Sequence, residues 1–253
     1  MPSDRRSGRV LGVKIDVLDW DTAITQLLAW GRTRESRYVA ICNAHVVVTA
    51  SRDDAFRKVI DSADMATSDG APVAWMLRRI SFAGQSRISG PDLMWTLCDR
   101  CAAEGLPVYL YGSTEETLSA LNKRLQAAFP SLKVVGMESP PFRKLSAEED
   151  FTAVERINTS GASIVFIGLG CPKQERWMAE HRGKVNAVMI GVGAAFDFHA
   201  GTVKRAPKWM QDAGLEWLHR LASEPRRLWK RYLVTNTLFV IGAAKQLLAI
   251  NRH

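Results

Sequence analysis

The sequence has few of the residues that mark disulfide-built or zinc-built proteins. It contains four cysteines in 253 residues, too few for a disulfide framework: Cys42, Cys98, Cys101 and Cys171. The Cys98–Cys101 pair has C-x-x-C spacing, but it lies within a predicted helix and no second ligand pair has metal spacing. Buried free thiols are therefore the better interpretation.

Long apolar runs are also missing. No stretch of about eighteen uninterrupted apolar residues occurs, which argues against a membrane-spanning helix. The first ten residues contain no apolar core, so we expect no signal peptide. Low-complexity tracts and internal repeats are absent, which disfavours fibrous and repeat architectures.

The common nucleotide and metal fingerprints are absent as well. The chain has neither the GxxxxGK[ST] pattern of P-loop proteins nor the GxGxxG of dinucleotide-binding folds, and we find no ribose-binding acid beside such a motif. These absences disfavour a nicotinamide-dependent oxidoreductase. The only D-x-D is Asp19-Trp20-Asp21, at a predicted helix start where capping explains it better than metal binding. We therefore expect no metal and no cofactor.

The chain carries more positively than negatively charged residues. Lysine and arginine number 34 against 26 aspartate and glutamate, a formal net charge of +8. A basic balance favours an anionic partner such as nucleic acid, anionic lipid or a phosphorylated ligand. A surface charged for solubility is the plain alternative.

Short apolar runs alternate with helical patterns along most of the chain, which predicts parallel strands joined by crossover helices. Predicted strands are Val10–Ile15, Tyr38–Cys42, Ala63–Thr67, Pro107–Tyr111, Lys133–Gly136, Ser163–Ile167 and Val185–Ile190. From Pro207 onward the pattern is almost entirely helical. The sequence thus predicts an α/β fold: a Rossmann-like, mostly parallel sheet flanked by helices (residues 1–200, the catalytic domain), then a helical, membrane-associating C-terminal appendage (residues 201–253).

Polar or glycine residues follow four of the predicted strands. They are Asn43 with His45, Ser68-Asp69-Gly70, Tyr111 to Thr114, and Gly168-Leu169-Gly170. Ligands of open α/β sheets bind at the edge where strand ends meet, so four such ends make a pocket plausible. Asp69 can act there as a general base, although local sequence favours it as an N-cap of the helix predicted from Pro72.

The segment from Gly168 to Glu175 joins a buried strand to a helix. Its glycines let a ligand approach the backbone, and the helix start offers N–H groups to phosphate or to sugar hydroxyls. An ordinary strand-to-helix turn is the alternative. Gly191-Val192-Gly193 repeats the arrangement one strand later.

The C-terminal segment is basic and then apolar. Its basic residues are His219, Arg220, Arg226, Arg227, Lys230 and Arg231, with Trp217 and Trp229 among them. The apolar stretch 233–250 comes next, a combination typical of an interfacial membrane segment. A core helix with a solvated basic face remains an alternative. Nucleic-acid binding is disfavoured, because few aromatic and basic elements occur elsewhere.

Several blocks of residues, from about residue 10 to 232, carry a resemblance to a known family by their order and spacing. They are Asn43–His45, Ala63–Gly70, Arg87–Leu93, Gly168–Glu175, Gly191–Asp197, Ala206-Pro207, Gly214–Arg220 and Glu224–Arg227. Together they resemble the WecG/TagA/CpsF family of bacterial surface-polysaccharide glycosyltransferases.

The resemblance implies an inverting transferase without a metal ion, in which Asp69 is the catalytic base and Asn43 lies in the same pocket. A threonine that many members carry is Ile41 here, so no role passes to that position. The family's C-terminal arginines contact the donor diphosphate, which points to Arg220, Arg226, Arg227 and Arg231. We further assign Gly112, Gly168, Gly170, Lys173, Gln174 and Gly191 to the UDP donor, and His45, Arg87 and Asp92 to the substrate pocket.

The resemblance also implies the partners and the location. We expect a UDP-sugar donor, a polyprenyl-diphosphate-linked sugar acceptor, an anionic membrane surface and no nucleic acid. The enzyme would then be cytoplasmic, peripheral on the inner face of the plasma membrane, and a homo-oligomer is possible. UDP-N-acetylmannosamine, its uronic acid and UDP-glucose all fit as donors. The alternative is a non-catalytic membrane-associated adaptor with a Rossmann-like body.

Overall fold

The computed structural model describes residues 6–80, 82 and 84–250; the first five residues of the predicted catalytic domain and the last three of the predicted appendage lie outside them. The described strands are β1 (Ser7–Val10), β2 (Val13–Asp16), β3 (Arg37–Cys42), β4 (Met65–Ser68), β5 (Val108–Gly112), β6 (Val134–Glu138), β7 (Ile164–Gly168) and β8 (Val188–Gly191). The described helices are α1 (Trp20–Arg32), α2 (Ala44–Arg52), α3 (Asp54–Asp61), α4 (Ala71–Arg79), α5 (Gly90–Glu104), α6 (Glu115–Ala128), α7 (Ala147–Thr159), α8 (Lys173–His181), α9 (Ala195–Ala200), α10 (Lys208–Asp212), α11 (Glu216–Ser223) and α12 (Pro225–Ile250).

Six of the strands form a parallel sheet in the order β4-β3-β8-β7-β5-β6. Their registers pair Tyr109 with Val165 and Val165 with Met189. The strands β7 and β8 are buried almost throughout, which agrees with their unbroken apolar sequence and with helices on both faces. The predicted Rossmann-like α/β fold with a helical C-terminal segment is therefore confirmed.

The single strand predicted over Val10–Ile15 is wrong in detail. The chain forms an antiparallel hairpin there, in which Val10 pairs with Val13 across a two-residue turn. Both turn residues have positive φ, 51° at Leu11 and 83° at Gly12, as a type I′ turn requires. The apolar alternation continues across the turn, which is why the sequence resembled one longer strand.

The chain divides by spatial proximity into two compact units. Unit 1 comprises Met1–Trp20, Ile41–Ser89 and Val203–His253, and unit 2 comprises Asp21–Ala40 and Gly90–Thr202. Unit 1 contains the hairpin, α2, α3, α4 and the three C-terminal helices. Inside it, the buried carboxylate of Asp16 accepts a hydrogen bond of 2.6 Å from the Ala66 N–H, which joins β2 to β4.

Helix α12 packs along unit 1 by one stripe of its surface. The buried residues of the helix recur at spacings of seven, four and four residues, on one face: Leu228, Thr235, Phe239 and Ala243. Near its end, the Gln246 side chain accepts from the Leu11 N–H at 2.8 Å and donates to the Arg9 carbonyl at 2.6 Å. Gly242 is needed beside this turn, because a Cβ there would lie 2.6 Å from the Leu11 side chain.

Unit 2 is built around β5 and β7 with α5, α6 and α9 packed together. Two of its helix starts have side-chain caps: Thr114 caps α6, and Ser146 forms a capping box with Glu149 at α7. Cys98 and Cys101 are buried in α5, where burial raises the pKa of both thiols. This agrees with the prediction of buried free thiols for this pair; Cys42 is also buried, whereas Cys171 is half-buried.

Candidate functional site

Two of the predicted site residues lie side by side where β3 and β4 end in unit 1. The Asp69 N–H donates to the Cys42 carbonyl at 3.0 Å, so the residue after β4 lies next to the end of β3. Asn43 follows Cys42 and begins α2, its Oδ1 accepting from the N–H groups of His45 (3.0 Å) and Val46 (3.1 Å). Asn43 is thus an N-cap residue as well as a candidate site residue.

The alternative role of Asp69 as a helix cap is wrong. The N-cap residue of α4 is Gly70, at φ 80°, and no side chain caps that helix. The glycine is required at this position because a side chain is strained at such a φ. The Asp69 carboxylate, which is 17% exposed, therefore does not cap this helix.

Arg87 links the Asp69 carboxylate to the C-terminal helices. Its Nε lies 3.8 Å from Asp69 Oδ1, and its terminal nitrogen donates to Glu216 Oε2 at 2.5 Å. A second terminal nitrogen donates to the Gln211 carbonyl at 3.2 Å. Glu216 also accepts a hydrogen bond from Arg205, whose Nε donates to Glu216 Oε1 at 3.3 Å. The two arginines and two carboxylates form one half-buried network, which we call the Arg87 network.

His45 lies in the first turn of α2, facing α12. Its Nδ1 is 3.4 Å from the hydroxyl of Thr235. Burial, and secondarily the positive charge of Arg231, lower the pKa of His45 to about 4. The imidazole is therefore neutral at physiological pH and can act as a hydrogen-bond partner but not as a cation.

The predicted donor-binding arginines occupy two different environments in unit 1. Arg220 is mostly buried and lies 3.5 Å from Glu224, which also pairs with Arg227 at 2.6 Å. Arg226 and Arg231 are exposed on the first turns of α12, and Arg231 lies over the ring of Tyr232. Glu224 thus neutralises part of this positive charge.

The predicted donor-binding glycines of unit 2 all have close neighbours or special backbone angles. A Cβ at Gly112 would lie 2.6 Å from the Gly168 backbone, and one at Gly168 would lie 2.6 Å from the Phe196 ring. A Cβ at Gly191 would lie 2.8 Å from the Met178 side chain, whereas Gly170 has open space around it and φ 78°. Packing alone explains three of the four glycines, and donor binding by them stays a prediction.

Gln174 fixes the turn between β7 and α8. Its Oε1 accepts from the Gly170 N–H at 3.1 Å, and its Nε2 donates to the Gly191 carbonyl at 3.1 Å and to Glu175 at 2.8 Å. Burial raises the pKa of the Glu175 carboxyl. Gln174 thereby connects two of the glycine turns, while Lys173 is exposed at the start of α8.

Asp92 lies half-buried in the first turn of α5, also in unit 2. Among the residues that the structure describes, no group of three histidine, cysteine, aspartate or glutamate side chains is placed to hold a metal ion.

Some residues now implicated were not assigned from the sequence. Glu216 stands within the block Gly214–Arg220 and Arg205 precedes Ala206-Pro207, so both lie in or beside segments that carried the resemblance. Glu216 is recognised through its contact with Arg87, 129 residues away along the chain, and Arg205 through its contact with Glu216.

One comparison with known protein families bears on these residues. The model of the glycosyl transferase WecG/TagA/CpsF family matches residues 8–253, nearly the whole chain, including both units and all the site residues described above. The six-stranded parallel sheet, the aspartate after β4 and the arginine-rich C-terminal helices are thus parts of one continuous match. The chain belongs to the WecG/TagA/CpsF family of glycosyltransferases, which act in surface-polysaccharide synthesis.

Proposed function

We propose that the chain is an inverting, metal-independent glycosyltransferase that moves a sugar from a UDP-sugar to a polyprenyl-diphosphate-linked acceptor. The observation that carries the proposal is the position of Asp69. Its carboxylate follows a strand, remains partly exposed and lies 3.8 Å from Arg87. A carboxylate so placed can accept the proton of an attacking hydroxyl.

In the proposed reaction, the acceptor hydroxyl oxygen attacks C1 of the donor sugar from the face opposite UDP. The new C1–O bond forms as the bond from C1 to the diphosphate oxygen breaks, and Asp69 takes the hydroxyl proton. The bonding pair leaves with UDP, so the anomeric configuration inverts. Asn43, adjacent to Asp69, is proposed to hold the substrate there.

Negative charge develops on the UDP leaving group and must be stabilised. Guanidinium groups suit this task, because they bind phosphate oxygens through two parallel hydrogen bonds. Arg220, Arg226, Arg227 and Arg231 supply four such groups over twelve residues. This supply of cations is what supports a mechanism without a metal ion. The unit 2 residues assigned to the donor keep that role in the proposal.

We propose that residues 201–253 form the membrane-associating part of the enzyme. Helix α12 is the one described helix long and apolar enough to cross a membrane, judged by length and composition only. Its buried stripe packs on unit 1, while its other faces expose large apolar residues: Trp229, Leu233, Val234, Val240, Ile241, Leu248 and Ile250. This arrangement favours a helix lying on the inner face of the plasma membrane, where a prenyl-linked acceptor resides.

The test is Asp69→Asn, assayed by UDP release from a set of UDP-sugars with a synthetic prenyl-diphosphate acceptor. Turnover should fall by about 100-fold or more, the usual size of a general-base contribution, while UDP binding barely changes. Asp54→Asn is the matched control, since that carboxylate is 79% exposed and pairs with Arg57 on its own helix. Near-normal turnover of Asp69→Asn would remove the base from the mechanism. Failure of the unaltered chain to transfer any sugar would favour the adaptor alternative.

A further inference from the structure

Helix α12 places one buried hydroxyl against the first turn of α2 in unit 1. Thr235 is 5% exposed and lies on the stripe by which α12 packs on this unit. Its Oγ1 is 3.4 Å from Nδ1 of His45, and within the described part of the chain this is the one hydrogen bond of the hydroxyl. The mechanism proposed above does not use this contact.

The direction of this hydrogen bond follows from the burial of Thr235. If Nδ1 of His45 carried the ring proton, it would donate to Oγ1, and the hydroxyl proton would have no acceptor among the described residues. A buried donor without an acceptor destabilises the folded state, so the hydroxyl donates to Nδ1 instead. An uncharged imidazole that accepts at Nδ1 carries its single proton on Nε2.

The ring of His45 is uncharged for a separate reason. Burial, and secondarily the charge of Arg231, lower its pKa to about 4. Arg231 precedes Thr235 by four residues, about one turn of α12, so the two side chains lie on one side of the helix. A second positive charge beside Arg231 would be repelled. The imidazole therefore offers a neutral N–H donor at Nε2.

The Nε2 atom of this ring is available to a ligand. It makes no hydrogen bond to the residues that the structure describes, and it is not one of their buried unpaired polar atoms. The backbone N–H of His45 donates to Oδ1 of Asn43 at 3.0 Å, and the carbonyl of Cys42 accepts from the Asp69 N–H. The ring therefore stands at the same end of β3 and β4 as the proposed base.

The charge state of the ring selects its ligand. Phosphate oxygens are bound best by cations, and guanidinium groups already supply these in the proposed mechanism. A neutral N–H instead suits an uncharged acceptor, such as a sugar hydroxyl or the carbonyl oxygen of an acetamido group. Because such an oxygen away from the reacting atoms keeps its charge during the reaction, this donor binds the ground state and the transition state alike.

We propose that His45 donates a hydrogen bond from Nε2 to an uncharged oxygen of the acceptor sugar, and that Thr235 is the positioning residue that fixes this tautomer and the orientation of the ring. The inference rests on the glycosyl transfer proposed above and adds a recognition residue for its acceptor. It also gives α12 a role that is separate from its arginines and its exposed apolar face. Without the hydroxyl, the ring can rotate and exchange tautomers, so fewer molecules present the donor correctly.

The tautomer is measured first, without any substrate. Full-length protein labelled with nitrogen-15 at histidine gives long-range proton–nitrogen spectra at neutral pH, and the His45→Gln variant identifies the signals of His45 among the five histidines. The unaltered protein should show the Nε2–H tautomer with Nδ1 unprotonated. Thr235→Val keeps the shape of the side chain and should add a detectable population of the Nδ1–H tautomer. An Nδ1–H tautomer or an imidazolium in the unaltered protein would overturn the inference.

Steady-state transfer then tests the role in the reaction. Thr235→Val should raise KM for the prenyl-linked acceptor by about fivefold, the loss expected for one neutral hydrogen bond, and should leave kcat and the KM for the UDP-sugar nearly unchanged. Thr235→Ser keeps the hydroxyl and should restore the acceptor KM. Thr237→Val, the same substitution at an exposed position of α12, should behave like the unaltered protein. In the His45→Gln background, Thr235→Val should have no further effect, because the two side chains act as one unit.

The outcomes separate this inference from the proposed function. If the unaltered protein transfers sugar but Thr235→Val keeps a normal acceptor KM, the inference fails and the glycosyl transfer stands. A rise in the KM for the UDP-sugar instead, or an equal rise of the acceptor KM with and without His45, would also overturn it. If the unaltered protein transfers no sugar, the proposed function fails, and the acceptor role of His45 fails with it. If Thr235→Val does not fold, Thr235→Ala replaces it under the same criteria.

Discussion

A single guanidinium group, that of Arg87, meets two carboxylates in unit 1. It donates to Glu216 at 2.5 Å and lies 3.8 Å from Asp69. Glu216 therefore competes with the proposed base for the same positive charge. In the proposed mechanism, the hydrogen bond to Glu216 restrains Arg87 from a closer approach to the Asp69 carboxylate.

Glu216→Gln should accordingly lower kcat by about tenfold, because an uncharged amide no longer restrains Arg87 and one charge-assisted hydrogen bond is worth about 1.5–3 kcal/mol. The melting temperature should change little, since the network is partly exposed to solvent. The measurement is steady-state UDP release with thermal unfolding in parallel. Asp212→Asn is the control, because that exposed carboxylate lies on α10 and pairs with Lys208 of the same helix. Normal kcat in Glu216→Gln would show that Arg87 needs no such restraint.

His45 should make the protein less stable as the pH falls from 6.5 towards 4. Burial, together with Arg231, lowers the folded-state pKa to about 4, whereas the unfolded residue titrates near 6.5. Between these values the unfolded state binds the extra proton, so stability rises with pH by at most about 1.4 kcal/mol per unit. Urea unfolding at pH 4.5 and 7 measures the difference. His45→Gln should lose this contribution; an unchanged slope would place the imidazole in water in the folded state.

At the residue scale, the sequence predicted the polar residues at strand ends but not the partners that reach them from distant parts of the chain. Asn43 could be found because it directly follows an apolar run, and Asp69 because it comes two residues after the predicted strand Ala63–Thr67. Glu216 could not be assigned, since its partner Arg87 is 129 residues away and ion pairs carry no periodic signal.

At the element scale, strands buried on both faces were the easiest to predict. β7 and β8 have no polar interruption at their centres, so composition alone marks them. The hairpin at the N-terminus was missed because its turn contains Leu11, an apolar residue at φ 51° that continues the alternation. The bounds of α12 could not be predicted from the sequence, because basic and polar residues interrupt its apolar pattern over 26 residues.

The exposed apolar face of α12 should carry the affinity for membranes. Replacing Leu233, Val240 and Leu248 by Glu should sharply lower the bound fraction in flotation with anionic vesicles, because each change removes apolar contact and adds repulsion. Stability should be retained, since the three side chains are 62%, 65% and 62% exposed. Ala222→Glu adds one negative charge at an exposed position of α11 and should leave flotation nearly unchanged. Undiminished flotation of the triple variant would assign membrane contact to another surface.

At the scale of the whole molecule, chain order and spatial grouping divide the protein differently. The change from alternating to helical pattern led us to propose a boundary at residue 200. Spatial proximity instead groups Val203–His253 with the hairpin and with Ile41–Ser89 in unit 1. This grouping depends on long-range contacts such as that of Gln246 with Leu11, which local sequence patterns cannot predict. The proposed boundary therefore marks a change in composition. An experiment must test whether the residues before it fold without the C-terminal segment.

Truncation after Thr202 is that experiment. The product should keep a folded α/β body by circular dichroism, because all the described strands precede the cut. Its melting temperature should be lower by about 10 °C. Loss of α12 removes the apolar contacts of Leu228 and Phe239 with unit 1, whose burial stabilises the fold by on the order of 3–6 kcal/mol. Transfer and vesicle flotation should both be lost, because the C-terminal arginines and the exposed apolar face are removed together.

A second truncation, after Ser223, separates these effects. It keeps α10, α11 and the Arg87 network but removes α12 with three of the four predicted donor-binding arginines. We expect it to melt nearly as low as the shorter product, because both lack the buried stripe of α12, and to lack flotation. An unchanged melting temperature in both products would mean that α12 adds no stability to unit 1, and transfer retained by either product would exclude those arginines from the reaction.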